Sequence, residues 1–164
     1  MPLKTPKGLF LYQMGTQRAA ESAAVNLLRM LQMRVHNREL AQTFEDLTRD
    51  KQYQVTNIQK CMDRVDGSPL EASAPSVSGL QQRFELFARM QPAPEIMDLF
   101  ALDIAIRNKY LGIVAYHEMI DLAKLLNEEQ CVQTLQDNLN HKQQNAKRLE
   151  QLRDKLHREL FATV

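Results

Sequence analysis

Three side chains in this sequence have the chemistry of metal ligands and fall where the apolar periodicity of helical segments lapses: Glu21, Asp50 and His141. Carboxylate and imidazole are the donors that hold iron or manganese. A pair of such cations needs about four carboxylates and two histidines converging from facing helices, because bridging anionic oxygens must offset the repulsion between the metals. Glu21, Asp50 and His141 suffice for one ion at most, with Asp137 a turn away from His141. Lys109 and Lys142 interrupt the same pattern, and an ammonium competes with a metal for the carboxylates. Together these types give a core polar layer of Glu21, Asp50, Lys109, His141 and Lys142, with Arg18 as a further cation, filling the space metals would take. No metal, cofactor or catalytic residue is expected; iron or manganese at a residual site, consuming peroxide or oxygen, is the alternative.

Other constellations carry less. His117 and Asp121 stand four apart beside Glu118, a spacing that suits a surface ion pair, without a Glu-x-x-His or His-Glu-x-x-His pattern. Cys61 and Cys131 lie far apart in sequence within helical patterns and read as packed, reduced thiols. There is no glycine-rich phosphate loop, nucleophile elbow or Cys/His pair, so nucleophilic catalysis has no candidate. The eight methionines read as adaptable core packing.

The elements that must position the polar residues are helices. In 164 residues there are five Gly and six Pro, and just over half of these are bunched between Gly67 and Pro94. Elsewhere Leu, Ala, Gln, Lys, Arg and Glu dominate, which predicts one nearly all-helical domain. The periodicity predicts helices over about 8–35, 37–65, 78–90, 95–126 and 128–161, with Asn37 as an N-cap and Asp66-Gly67-Ser68-Pro69 as a stop. Glu95 to Leu126, apolar over most of its circumference, is the central helix. The long connection before it, with its short helix, is what two parallel helices of a bundle require, whereas antiparallel neighbours need only a few residues. Two helical hairpins joined by such a crossover form a ferritin-like four-helix bundle. Counted from their turns at 1.5 Å per residue, Glu21 and Asp50 come level at roughly 22 Å, as do Gly112 and His141 in the second hairpin.

Along essentially its whole length the chain resembles the YciE/YciF-like ferritin-like proteins, a bacterial group linked to stress responses. The likeness rests on KTPKGLFLYQMGTQRAAES, NRELAQTFEDLTRDKQYQVTNI, SVSGLQQ, IVAYHEMIDLAKLLN and LQDNLNHKQQN, in that order and spacing. It implies a di-metal set of which little is left. Ala20-Glu21 keeps the first carboxylate. The family's His-x-x-Glu-Thr has become Leu47 and Asp50 with Lys51 for the threonine. Its Glu-His-Tyr-Glu is Lys109, Tyr110, Leu111 and Gly112, and its Glu-Thr-Leu-x-Glu-Glu is the run from Asp137 to Lys142.

A formal charge of +1 gives no footprint for nucleic acid, and Lys4 and Lys7 are too few for a DNA-compacting tail. No apolar run approaches the roughly 20 residues that span a bilayer, and no leader opens the chain, so a cytoplasmic protein without membrane contact is expected. The apolar breadth of the central helix and the opening Leu9, Phe10, Leu11 and Tyr12 point to a homodimer with a further, unidentified protein partner.

Overall fold

Buried side chains recur along each long helix in alternating steps of four and three, the spacing that keeps one seam against a neighbour. On the first helix the seam is Phe10, Met14, Gln17, Glu21, Ala24, Leu28 and Leu31. On the second it is Leu40, Phe44, Leu47, Lys51, Gln54, Ile58 and Cys61. The computed structural model describes residues 3–65, 67 and 72–163. Among these the elements are α1 (Pro6–Arg34), α2 (Arg38–Arg64), α3 (Pro75–Ala88), α4 (Pro94–Leu125) and α5 (Glu129–Ala162), with no strand.

The ends of the helices follow from cap chemistry. Thr5 Oγ1 accepts from the Gly8 amide and Pro6 occupies the first turn of α1, where a missing N–H is harmless. Asn37 Oδ1 accepts from the Leu40 amide at 2.9 Å and starts α2, as its residue type predicts. The short helix α3 begins three residues before the expected Ser78, because Pro75 suits its first turn, and it ends at Ala88, with Gln91 turning into the left-handed region. Asn127 adopts the same conformation after α4 (φ 57°), and the Glu128 amide returns to the Ala123 carbonyl. Of the expected stop after α2, Asp66, Ser68 and Pro69 lie outside the described residues; the Gly67 amide donates to Met62 O.

Packing order shows the crossover. α1 packs on α2 and α4, α5 packs on α4 and α2, and α3 lies across α1 and α4. The side chain of Asp98, in the first turns of α4, accepts from the backbone amides of His36 and Asn37, at 2.7 and 2.9 Å. Hence α4 starts at the end of the bundle where α2 starts, the two run parallel, and the segment carrying α3 brings the chain back along its length.

The apolar core falls into two clusters. One, around Leu28, Phe44, Phe84, Leu102 and Leu149, includes α3 and lies toward the α1–α2 turn. The other, around Phe10, Ile58, Tyr116, Ile120 and Leu135, lies toward the α4–α5 turn. What separates them is polar.

Candidate functional site

Between the two apolar clusters Glu21, Lys51, Lys109 and Lys142, one from each long helix, are all buried to 1% exposure or less. Glu21 Oε2 accepts from Lys51 Nζ at 2.8 Å, and Oε1 from Lys142 Nζ at 2.6 Å. Oε1 also accepts from Gln17 Nε2 at 2.8 Å and from the Tyr116 hydroxyl at 3.2 Å. Every one of these residues occupies a seam position of its helix, so the rhythm that buries leucines elsewhere buries charges here.

Gly112 explains how Lys142 crosses to Glu21. A Cβ at Gly112 would stand 2.9 Å from Lys142 Cε and 3.1 Å from its Nζ; the bare α4 backbone is the channel through which the lysine stem runs. The Lys142 ammonium also lies 5.6 Å from the centre of the Tyr116 ring. A turn further along, Asn138 extends the polar layer: it accepts from Asn57 Nδ2 at 2.8 Å and donates to Gln54 O at 3.1 Å and to the Tyr116 hydroxyl at 3.0 Å.

The layer sets one carboxylate among three buried lysine amines, and burial weighs on the charge of each. Burial works to raise the carboxyl of Glu21, but Lys142 and Lys51 overcome it and hold Glu21 well below the usual carboxylate range. Burial pulls Lys142 down to about 7, with Glu21 opposing and Lys51 assisting. Lys109 is driven well below the ordinary lysine value by burial first, then by Lys51 and Lys142. Its Nζ has no hydrogen-bond partner among the described residues, and neither does either end of the buried Gln54 amide. Burial and Glu21 together keep the Tyr116 phenol protonated far above its normal range.

The residues singled out from sequence divide into two groups. Glu21, Lys109 and Lys142 come together. Asp50 and His141 do not, and their assignment to the layer is corrected. Asp50 is half-buried and accepts from Asn145 Nδ2 at 3.0 Å, while His141 is exposed and packs its ring on Tyr53, with centroids 5.5 Å apart. Each is the immediate neighbour of a layer lysine, and one residue along a helix turns a side chain by about 100°. Asp137 is exposed as well. Arg18 pairs with Gln59 outside the layer. Lys51 was missed, although the interval Leu40, Phe44, Leu47, Lys51, Gln54, Ile58 marks it as a seam residue. Among the described residues no three of His, Cys, Asp and Glu are placed to hold a metal ion. The donors present do not fit a di-metal pair, since the layer's single carboxylate is already saturated by ammonium groups.

Two further placements matter. Cys61 and Cys131, 70 residues apart, are buried neighbours, with Cys61 Sγ donating to Cys131 O at 3.9 Å; contact with Cys131 and burial raise the Cys61 thiol far above its normal value. His117, Glu118 and Asp121 are exposed, and Glu118 accepts from Gln13 of α1.

A family model described as a domain of unknown function, DUF892, matches residues 5–162. No curated protein matches the chain. Among solved structures, the Escherichia coli stress protein YciF superposes with a TM-score of 0.90 at 17% identity, covering 94% of this chain and 98% of that one. YcfI, a putative structural protein from Rhodopseudomonas palustris, gives 0.85 at 20% identity, with 90% and 94% covered. A ferritin-like, diiron-carboxylate protein from Bacillus anthracis gives 0.71 at 17%, with 91% and 98% covered. The fold is therefore ferritin-like and all-α.

Proposed function

The chain belongs to the DUF892 family, and from that premise we propose that it is a non-catalytic ferritin-like bundle, a structural or interaction protein of the cytoplasm with a stress-associated role. What carries the reading is Glu21, whose two carboxylate oxygens are both taken by lysine ammonium groups. A metal would have to displace those ammonium groups from the carboxylate, with the Lys109 side chain buried beside them. Such a layer adds little stability by itself, because desolvation of the ions consumes most of their attraction. Its contribution is register: it rewards only the arrangement that brings one seam residue of each long helix to a common height. The stress association rests on the family resemblance and on the description of the Escherichia coli relative.

A homodimer fits the exposed apolar side chains. Leu111 and Val114 on α4 are 47% and 56% exposed, and Leu9 and Tyr12 on α1 are 40% and 46% exposed. Phe10, counted with them from sequence, is instead fully buried and Leu11 half-buried. Among the described residues no helix is long and apolar enough to cross a membrane.

Element-resolved metal analysis of protein purified from iron- and manganese-supplemented growth tests the central claim. The expected content is far below one ion per chain. Stoichiometric iron or manganese that disappears in Glu21→Ala overturns it. Light scattering at tens of micromolar tests the dimer, and a monomer mass removes it.

A further inference from the structure

The two ends of the bundle join its hairpins by different chemistry. Where α2 and α4 begin, Asp98 ties the second hairpin to the first by accepting from the amides of His36 and Asn37. At the opposite end the hairpins meet through sulfur. Cys61 stands in the last turn of α2 and Cys131 in the first turn of α5. Both are free thiols, at 1% and 0% exposure. Cys61 Sγ lies 3.9 Å from the Cys131 carbonyl oxygen, and the two thiols contact each other. A disulfide forms without backbone movement only where two side chains converge at short range. Here one sulfur rests against both the main chain and the thiol of the other residue.

The two sulfurs are not equivalent. Cys131 is the third residue of α5, where the unpaired amides and positive end of a helix favour a thiolate. The Cys61 thiol lowers Cys131 below its ordinary range, with Arg64 assisting against burial and Glu128. Cys61 is itself raised, so Cys131 has the character of the attacking sulfur and Cys61 that of the resolving one. Access to Cys131 follows from how its helix starts. The N-cap of α5, Glu128, makes no side-chain cap hydrogen bond, in contrast to Thr5 and Asn37 on α1 and α2. A helix end without that bond opens more readily, and opening the first turn of α5 uncovers Cys131.

We infer that Cys61 and Cys131 are a dithiol that hydrogen peroxide closes into an intrachain disulfide, fastening α2 to α5. The Cys131 thiolate attacks one peroxide oxygen, the O–O bond breaks, and the hydroxide released takes up the proton of the thiol and leaves as water. Cys61 then attacks the sulfur of the resulting sulfenic acid. The S–O bond breaks, and the hydroxyl departs with the Cys61 proton as a second water. Two thiols are oxidised and one peroxide is reduced. A small thiol reverses the bridge by exchange and is itself oxidised to its disulfide. In a reducing cytoplasm such a pair rests open and closes only under oxidant. Closed, it bounds a loop of residues 70 apart and ties the hairpins at both ends.

The reduced full chain, treated while folded at pH 7 with hydrogen peroxide in stepwise excess and then alkylated under unfolding conditions, tests the inference. Intact mass is expected to fall by two hydrogens per chain with no cysteine left to alkylate, and peptide mapping to find Cys61 linked to Cys131. Tm is expected to rise by roughly 5–15 °C, and dithiothreitol to reverse every change. In Cys61→Ala, dimedone is expected to mark Cys131 during oxidation, whereas in Cys131→Ala Cys61 stays unmarked. Two alkylatable thiols after treatment, a cross-link between chains, a bridge that forms only in urea, or a bridge that lowers Tm overturns the inference. Equal marking of the two cysteines overturns the role given to Cys131. Should either variant not fold, the mapping and Tm of the wild-type chain decide.

Discussion

The apolar clusters and the layer between them are built on one rhythm and obey different energetics. Leu28, a seam residue of α1, and Glu21, two seam positions before it, are equally hidden from water, at 1% exposure each. Truncating the leucine costs its transfer free energy plus a cavity term, about 2–5 kcal/mol, and the surroundings can partly collapse. The cost of changing the glutamate is set by what remains: three lysines with no anion among them. Periodicity thus decides which residues are buried, and chemistry decides whether that burial stabilises or merely constrains.

The largest effect that can be brought against this comparison is Glu21→Gln. It keeps the shape and removes the charge, so loss of about 3–5 kcal/mol is expected, read from urea unfolding at pH 7. A loss below about 1 kcal/mol would mean that the lysines pair elsewhere and that the layer is not organised by Glu21.

Next comes Gly112→Ala. On an ordinary helix face this exchange would stabilise by up to about 1 kcal/mol, but here the new methyl meets the Lys142 stem at 2.9 Å. Lys142 cannot swing away without giving up its 2.6 Å contact with Glu21. Destabilisation of about 1–3 kcal/mol is expected, and a double-mutant cycle with Lys142→Met should recover most of it.

Here lies the difference between what sequence and structure disclose. Helix order, the crossover and the height of the polar interruptions all follow from apolar spacing and from where Gly and Pro collect, because these are properties of single segments. Glu21, Lys109 and Lys142 could be named because each interrupts an apolar run. Asp50 and His141 were drawn in by residue type, as metal donors, against a periodicity that favoured Lys51 and Lys142 beside them. The proximity of Cys61 to Cys131 had no sequence signal, since it arises only when α2 meets α5.

Protonation separates layer from core a third way. For Lys142, at about 7 in the folded chain and near 10.5 unfolded, the unfolded state binds more protons between those values; Lys109, also depressed, acts in the same sense. Stability therefore rises with pH from about 7 toward 10.5, by on the order of 1 kcal/mol or more. Glu21 has the complementary acid limb: its folded carboxyl lies below the unfolded value of 4.5, so its contribution is complete above that value and is lost as pH falls beneath it. Urea midpoints at pH 7, 8 and 9 read the alkaline limb. A flat or falling midpoint would show that the buried lysines keep their protons.

The smallest effect is the most discriminating about position. Asp50→Ala and His141→Ala each alter a neighbour in sequence of a buried lysine, and if the layer included them each would behave like Glu21→Gln. Asp50 instead meets Asn145 at the edge of the α2–α5 seam, and His141 lies on Tyr53 at the surface. A loss of no more than about 0.5 kcal/mol is expected for exposed His141 and about 1 kcal/mol for half-buried Asp50 with its one hydrogen bond, with the alkaline rise in stability intact. A loss of several kcal/mol from either would place charge balance in the layer on side chains that the observed helix rotation turns away from it.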